Sequence, residues 1–256
     1  MVFLVELWVE LRRGLRSYIS YPLQALGEII ALMLAFAFIN NSQSEGSGAG
    51  TAVGFAVVFI AFVGLQAANK VVKDESDAGT LEQLYLACSS LPRVIFLRTL
   101  ADTLRLIPIL FGMLAVTVNS IGTSFASWVG PVILLSLVMN TGMLGIGLII
   151  GAIALLFKRV GFLANLASIS LLPLALTPVD KFPGGPAGDL LKAIPFTLAL
   201  NIFRDLLIEF EGVRSTLISS SMAFLLVNSV VSFLVGMVAF RVAERIARDR
   251  GLIGKY

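Results

Sequence analysis

Charged side chains are scarce in this chain of 256 residues, and histidine is absent. Only 14% of the residues are charged, whereas roughly a quarter are charged in an average soluble domain. Because histidine is the commonest transition-metal ligand and the usual general base, its absence argues against metal-dependent and histidine-based catalysis. The single cysteine excludes a disulfide within the chain.

A phosphate-binding loop of the G-x-x-x-x-G-K-[ST] type is also missing from the sequence. The nearest approach, at residues 251–255, has neither the spacing nor the final serine or threonine. We therefore predict that the chain is not an enzyme by itself and holds no cofactor of its own. Any uphill transport would draw its energy from another subunit or from an ion gradient.

Apolar residues, by contrast, make up 57% of the chain, and the mean hydropathy is +0.94. They are gathered in runs close to the ~20 apolar residues that are needed to cross a bilayer. We predict an all-α membrane protein with six transmembrane helices and a single transmembrane domain over residues 1–256. The predicted spans are residues 23–39, 51–68, 99–118, 128–157, 160–176 and 217–240. The fourth is long enough to be tilted or broken, and its Gly147 and Gly151 form a G-x-x-x-G step typical of close helix packing or of a dimer face.

Basic residues are divided unevenly between the two sides that these spans define. Fifteen of the 19 lysines and arginines fall on the side that carries both termini. The other four are Lys181, Lys192, Arg204 and Arg214. Because cytoplasmic loops are enriched in lysine and arginine, we predict a protein of the plasma or inner membrane with both termini cytoplasmic. The net charge of +3 is explained by this asymmetry, and no nucleic-acid partner is predicted.

Three segments outside the spans have patterns of their own. Residues 2–17 have one apolar face at helical spacing, which predicts an amphipathic helix in the membrane interface. That face consists of Leu4, Leu7, Trp8, Leu11 and Leu15. Residues 177–215 combine prolines and glycines with apolar pieces too short to cross, which predicts an extracellular re-entrant segment. Residues 241–256 are predicted to form a basic cytosolic tail.

A polar segment at residues 73–90 separates the second span from the third. Thr80 and Gln83 form the T-x-x-Q pattern in which each side chain satisfies a backbone N–H, so a helix is predicted to begin at Thr80. Acidic residues are expected at its opening, where the helix dipole favours them: Asp74, Glu75, Asp77 and Glu82. Its narrow apolar stripe consists of Leu81, Leu84, Tyr85 and Cys88. Spacing alone leaves two alternatives, a helix lying on the membrane surface and a helix that docks onto a partner.

The order of residues in this segment is more informative than its spacing. Residues 75–84 read ESDAGTLEQL and resemble the E-x-x-x-G-T-L-E-Q-L pattern that follows the second span in permease subunits of type-two ABC exporters. The resemblance implies a cytosolic coupling helix that presses into a groove of a separate ATPase subunit, which binds ATP and magnesium. The residues to which it assigns coupling are Glu75, Gly79, Thr80, Leu81, Glu82, Gln83, Leu84 and Tyr85.

A second match to the same family lies more than a hundred residues further along the chain. Pro195, Phe196 and Arg204 are similar to the proline-then-arginine pattern that these permeases carry before the last span. The resemblance implies that they help to form an outer gate. It also implies that two copies, or one copy with a related permease, enclose a pathway for export by alternating access. The lack of repeated charge within the spans favours a lipophilic cargo such as a lipid, a drug or a lipid-linked glycan.

Charges inside the predicted spans leave a competing class of function open. Glu28 is the most isolated of these acids, and burying a carboxylate in hydrocarbon costs at least ~2.5 kcal/mol, so it should face protein or water. Arg98, Asp102 and Arg105 share one helix face, as a charge ladder or as a proton relay. The competing protein is a stand-alone secondary transporter or channel in which Glu28 or Asp102 couples to an ion. A membrane scaffold without transport is the third alternative.

Overall fold

The part of the chain that the computed structural model describes contains eight helices and no strand, which confirms the predicted all-α class. The helices are α1 (Val2–Ser20), α2 (Gly48–Asp77), α3 (Leu91–Asn119), α4 (Val129–Phe157), α5 (Gly161–Leu176), α6 (Pro186–Ala193), α7 (Pro195–Leu207) and α8 (Ser220–Asp249). The described residues are 2–20, 22–23, 26–27, 30, 33–34, 48–77, 79, 83, 91–119, 129–157, 161–177, 185–207 and 219–249.

Three of these helices are long and apolar enough to cross a membrane. The qualifying segments among the described residues are Val53–Lys73, Val129–Phe157 and Ser220–Asp249. They match the second, fourth and sixth predicted spans, whereas the apolar part of α5 is shorter. The first predicted span, residues 23–39, falls largely outside the described residues. Because α4 is one continuous helix of 29 residues, the alternative of a broken fourth span is wrong.

Helix α4 lies at the centre of the bundle, with α2 on one side and α8 on the other. On α2, Gly64 lies beside Asn140 of α4, and Ala68 lies beside Gly151 of α4. On α8, Ser229 lies beside Gly142 of α4, and Phe240 lies beside Gly151 of α4. Because the residue numbers increase in the same direction along each pair of contacting helices, α2, α4 and α8 run parallel to one another. Helix α5 runs the opposite way along α2, because Ala175 lies at Gly54 and Ser168 at Gln66.

Glycines allow the backbones of these helices to approach closely. A Cβ atom on Gly147 would lie 2.5 Å from the carbonyl oxygen of Leu65 on α2. Where α4 crosses α8, Gly145 faces Gly236, and a Cβ on either residue would overlap the backbone of the other helix. The G-x-x-x-G step of Gly147 and Gly151 therefore contacts α2 of the same chain, so the interpretation of this step as a dimer face is wrong.

The buried apolar side chains form two clusters that divide the bundle along its length. The larger cluster packs α7 and the end of α5 against the first halves of α2 and α4 and the start of α8. The smaller cluster packs the start of α3 against the second halves of α2, α4 and α8. Within it, Ala243 is buried, and α8 continues as far as Asp249. Residues 241–249 of the predicted basic tail therefore continue helix α8.

Candidate functional site

Helix α2 extends beyond the second predicted span into the predicted coupling segment and ends at Asp77. Gly79 follows with a φ of 67°, the left-handed conformation that glycine adopts without strain and that commonly terminates helices. The acidic residues from Asp74 to Asp77 therefore lie in the last turn of α2. The helix predicted to open at Thr80 begins outside the described residues, so the predicted role of these acids at its opening stays a prediction, while Glu75 is paired with a cation on a neighbouring helix.

The structure places only part of the predicted coupling set. Gln83 is in a helical conformation and its side chain is exposed. The residues outside the described part of the chain are Thr80, Leu81, Glu82, Leu84 and Tyr85 from the coupling set, and Glu28 from the first span. The geometry of the coupling region therefore rests on Gly79, which ends α2, and on Glu75 with the helix that it contacts.

Glu75 contacts a cation on α3 that also contacts α1. Arg98 Nη1 lies 3.1 Å from Glu75 Oε1, and Arg98 Nε lies 3.6 Å from Glu10 Oε1. The three side chains are largely buried, with relative exposures of 18% for Arg98, 15% for Glu75 and 20% for Glu10. A more exposed pair lies beside them, where Arg93 Nη2 donates to Glu6 Oε2 at 2.7 Å. One guanidinium thus joins α1, α2 and α3, and we name this three-residue group the ionic junction.

Asp102 is paired along its own helix. Arg105 Nη2 lies 2.6 Å from Asp102 Oδ1. A Cβ on Gly14 of α1 would lie 2.6 Å from Arg105 Nη1, so the glycine leaves room for this guanidinium. The predicted ladder is therefore divided, with Asp102 and Arg105 paired and Arg98 directed to the other helices. This pairing favours a structural charge ladder over a proton relay for Asp102.

The second predicted motif lies at the turn between α6 and α7, near the middle of the bundle. Pro195, the first residue of α7, packs against Gly142 at about the midpoint of α4. Asn228 of α8 donates from Nδ2 to the carbonyl oxygen of Ala193. Ser232 Oγ in turn lies 3.3 Å from Asn228 Oδ1. The turn is therefore fixed to both α4 and α8.

From this turn, α7 leads back towards the beginning of α2. Phe196 and Phe203 are fully buried in the larger core cluster. Arg204, in the last turn of α7, donates from Nη2 to the carbonyl oxygen of Ala175 at 2.7 Å. A cation at the carboxyl end of α5 also interacts favourably with the helix dipole. The predicted gate residues thus share one short helix, with Pro195 and Arg204 at its two ends.

Replacing Asn228 with leucine is expected to loosen this turn. The variant loses the donor to Ala193, and one intramolecular hydrogen bond is worth about 0.5–1.5 kcal/mol, which corresponds to roughly tenfold in an opening equilibrium at most. The measurement is the labelling rate of Ile194→Cys by a water-soluble maleimide in detergent solution, with Cys88→Ser as background. Ser232→Ala, which removes only the 3.3 Å contact, should change the rate less. An unchanged rate in Asn228→Leu would contradict the assigned role.

Several residues that hold these regions together were not predicted as contacts. A sequence signal for the contact of Glu10 was available. Glu6 and Glu10 are four residues apart and Arg93 and Arg98 are five residues apart, so two acids on one helix can face two bases on another. Asn140 donates to Thr103 in the core between α3 and α4. Lone amides such as Asn140 and Asn228 within apolar spans are typical of hydrogen bonds between membrane helices. That pattern was available in the sequence, although it does not specify the partner.

Taken together, the long apolar helices and the buried polar contacts between them define a multi-pass helical membrane protein. The sequence matches the profile of the ABC-2 type transporter family over residues 2–208, which include α1 to α7. The chain therefore belongs to this family, and the predicted resemblance to permease subunits of type-two ABC exporters is confirmed. A comparison with curated protein sequences found no significant match.

Proposed function

We propose that this chain is the membrane-spanning subunit of an ATP-driven exporter, and that residues 73–90 dock onto a separate ATPase subunit. The ionic junction is the observation that carries this proposal. Glu75, the first residue of the coupling motif, is bonded through Arg98 to both α1 and α3. Displacement of the segment after Gly79 would therefore act on three helices at once. The chain itself would hydrolyse no ATP, and the partner would bind ATP and magnesium.

We also propose six crossings, with both termini cytoplasmic and α6–α7 as an outer re-entrant pair. The opposed directions of α2 and α5 support alternating crossings. The depth of Pro195 at Gly142 supports re-entry, because α6 and α7 are too short to span. Arg204 lies near the start of α2, at the end opposite the ionic junction, which fits an outer gate.

The exposed faces of the bundle support a pathway shared by two permease copies. Gln66 Nε2 donates to Ser168 Oγ at 2.9 Å and to Asn165 Oδ1 at 3.2 Å, and Asn165 is exposed. An exposed amide at membrane depth fits a face that borders a pathway better than one that borders lipid. Between Phe224 and Val238, by contrast, the exposed residues of α8 are all apolar, as expected for lipid contact.

In the proposed cycle, ATP binding draws the two coupling segments together and opens the pathway outwards, and hydrolysis resets it. The segment from Pro195 to Arg204 would form part of the outer gate. A lipophilic cargo such as a lipid, a drug or a lipid-linked glycan is proposed because the predicted spans lack repeated charge. Either an identical second copy or a related permease would complete the pathway.

Docking is tested by replacing both Leu81 and Leu84 with aspartate. Two carboxylates in the predicted apolar stripe are expected to reduce co-purification of the ATPase subunit by at least ~10-fold, because desolvated apolar contacts dominate such interfaces. Membrane insertion, measured by detergent extraction and size-exclusion chromatography, should not change. The matched control is Leu190→Asp on α6, where the leucine is exposed and lies far from the coupling segment in the sequence. Unchanged co-purification of the double variant would contradict docking.

Reconstitution separates this proposal from a stand-alone secondary transporter. Liposomes that contain the chain alone should move no cargo against a gradient, and addition of the ATPase subunit with ATP should start transport. Concentrative transport by the chain alone, driven by an ion gradient, would overturn the proposal. In that case Asp102→Asn would be the next variant to test.

A further inference from the structure

Helix α1 has two faces of different chemistry. One face is partly buried and consists of Glu6, Leu7, Glu10, Leu11 and Gly14, of which Glu6, Glu10 and Gly14 contact arginines of α3. The residues on the opposite, exposed face are Val5, Trp8, Val9, Arg12, Arg13, Arg16 and Ile19. The four apolar residues of this second group have relative exposures between 57% and 78%, so the described helices leave them largely uncovered. We call this group the outward face of α1.

The fold separates charges that are nearly balanced in the sequence of α1. Glu6 pairs with Arg93 and Glu10 with Arg98, so both acids are engaged by α3. Arg13 lies 3.9 Å from Glu10 and keeps 62% of its side chain exposed, which makes this contact marginal. Among the described residues of α1, the outward face therefore carries three arginines and no acid.

We propose that the outward face of α1 binds the anionic headgroups of a phospholipid bilayer, in preference to zwitterionic ones. Arginines beside exposed apolar side chains are the composition of helices that lie in the interface of anionic membranes. Trp8 belongs to the residue type that anchors at the headgroup level. Arginine forks match phosphate oxygens with two parallel hydrogen bonds. An acidic protein surface would match the arginines but not the exposed apolar side chains of Val5, Trp8, Val9 and Ile19, so lipid is the better fit.

This binding would reach the ionic junction through α1 itself. Glu10 lies on the same helix as the arginines and contacts Arg98. Lipid headgroups on one face and Arg98 on the other would together hold α1 in place. The inference does not depend on the cargo or on the ATPase subunit, so it can fail while the proposed function stands.

The test uses Trp8 as the reporter in the full-length chain. The chain has two tryptophans, and Trp128→Phe leaves Trp8 as the only one. The protein is reconstituted in vesicles of 80% phosphatidylcholine and 20% phosphatidylglycerol, with a bromine quencher either on the phosphatidylglycerol or on an equal fraction of the phosphatidylcholine. Brominated phosphatidylglycerol is expected to quench Trp8 at least about twofold more strongly, and 0.5 M salt should reduce the difference, because salt screens exposed charges.

Charge-neutral variants show whether the arginines cause the preference. Replacing Arg12, Arg13 and Arg16 together with glutamine should bring the quenching ratio to about one, since each basic residue adds to the attraction. The matched control replaces three exposed arginines of α8, namely Arg241, Arg245 and Arg248, and should leave the ratio unchanged. Equal quenching by both lipids in the parent chain would overturn the proposal. So would an equal loss in the α8 variant, or shielding of Trp8 only when the ATPase subunit is added.

Discussion

Replacing Gly236 with alanine is expected to destabilise the protein by about 2–3 kcal/mol, although alanine favours helices by up to ~1 kcal/mol over glycine. The added Cβ would lie 2.8 Å from the carbonyl carbon and the Cα of Gly145. These are backbone atoms in the middle of two packed helices, so they cannot move aside as the end of a long side chain can. Thermal unfolding in detergent should show a midpoint lower by roughly 5–10 °C.

The matched control for Gly236→Ala is Gly130→Ala on α4. Among the described residues, nothing lies within 4 Å of a Cβ at Gly130, so this change should leave the midpoint unchanged or slightly raised. Gly147→Ala should resemble Gly236→Ala, because its neighbours are the backbone oxygens of Gly64 and Leu65. If Gly236→Ala and Gly130→Ala have the same effect, the close crossing of α4 and α8 is not required.

Replacing Arg98 with glutamine is expected to have the largest effect of any single charge change in the ionic junction. The variant leaves Glu10 and Glu75 largely buried without their shared cation, and loss of one partner of a buried ion pair costs about 3–5 kcal/mol. Because all three side chains retain some exposure, we expect a value near the lower end of that range. Thermal unfolding measures this loss, and ATP-driven transport by the reconstituted complex should fall with it.

Arg93→Gln is the matched control, because it removes the exposed ion pair between Arg93 of α3 and Glu6 of α1, two of the helices that the ionic junction joins. Such surface pairs are worth about 0–1 kcal/mol, so stability and transport should change little. A double-mutant cycle with Glu75→Gln isolates the buried contact, since the two single losses should not add. Equal effects of Arg93→Gln and Arg98→Gln would show that the ionic junction has no special role.

Helices were predicted best from the sequence where apolar side chains continue over many residues. The apolar runs of α4 and α8 predicted long helices, and the G-T-L-E-Q-L residues predicted the family that the profile match confirms. The boundaries were less predictable. The apolar run of α2 is followed by Lys70 and Lys73, which suggested an end, yet the helix continues to Asp77 because Val71 and Val72 pack into the smaller core cluster.

The partners of polar side chains could not be predicted from spacing within one helix. Arg98 and Asp102 are four residues apart, which favours a pair along α3, but Arg98 reaches Glu75 and Glu10 instead. The choice depends on where α1 and α2 lie against α3, and local periodicity carries no information about that placement. The same holds for Asn228, whose acceptor Ala193 belongs to a turn 35 residues earlier in the chain.

A guanidinium shared by two carboxylates also determines how three helices can separate. Arg98 is closer to Glu75, at 3.1 Å, than to Glu10, at 3.6 Å. If α2 withdrew, Arg98 could strengthen its bond with Glu10, so the cation would exchange one acid for the other and never be stranded in an apolar surrounding. Sliding of α2 relative to α1 therefore meets a lower electrostatic barrier than it would with a single acid and a single base.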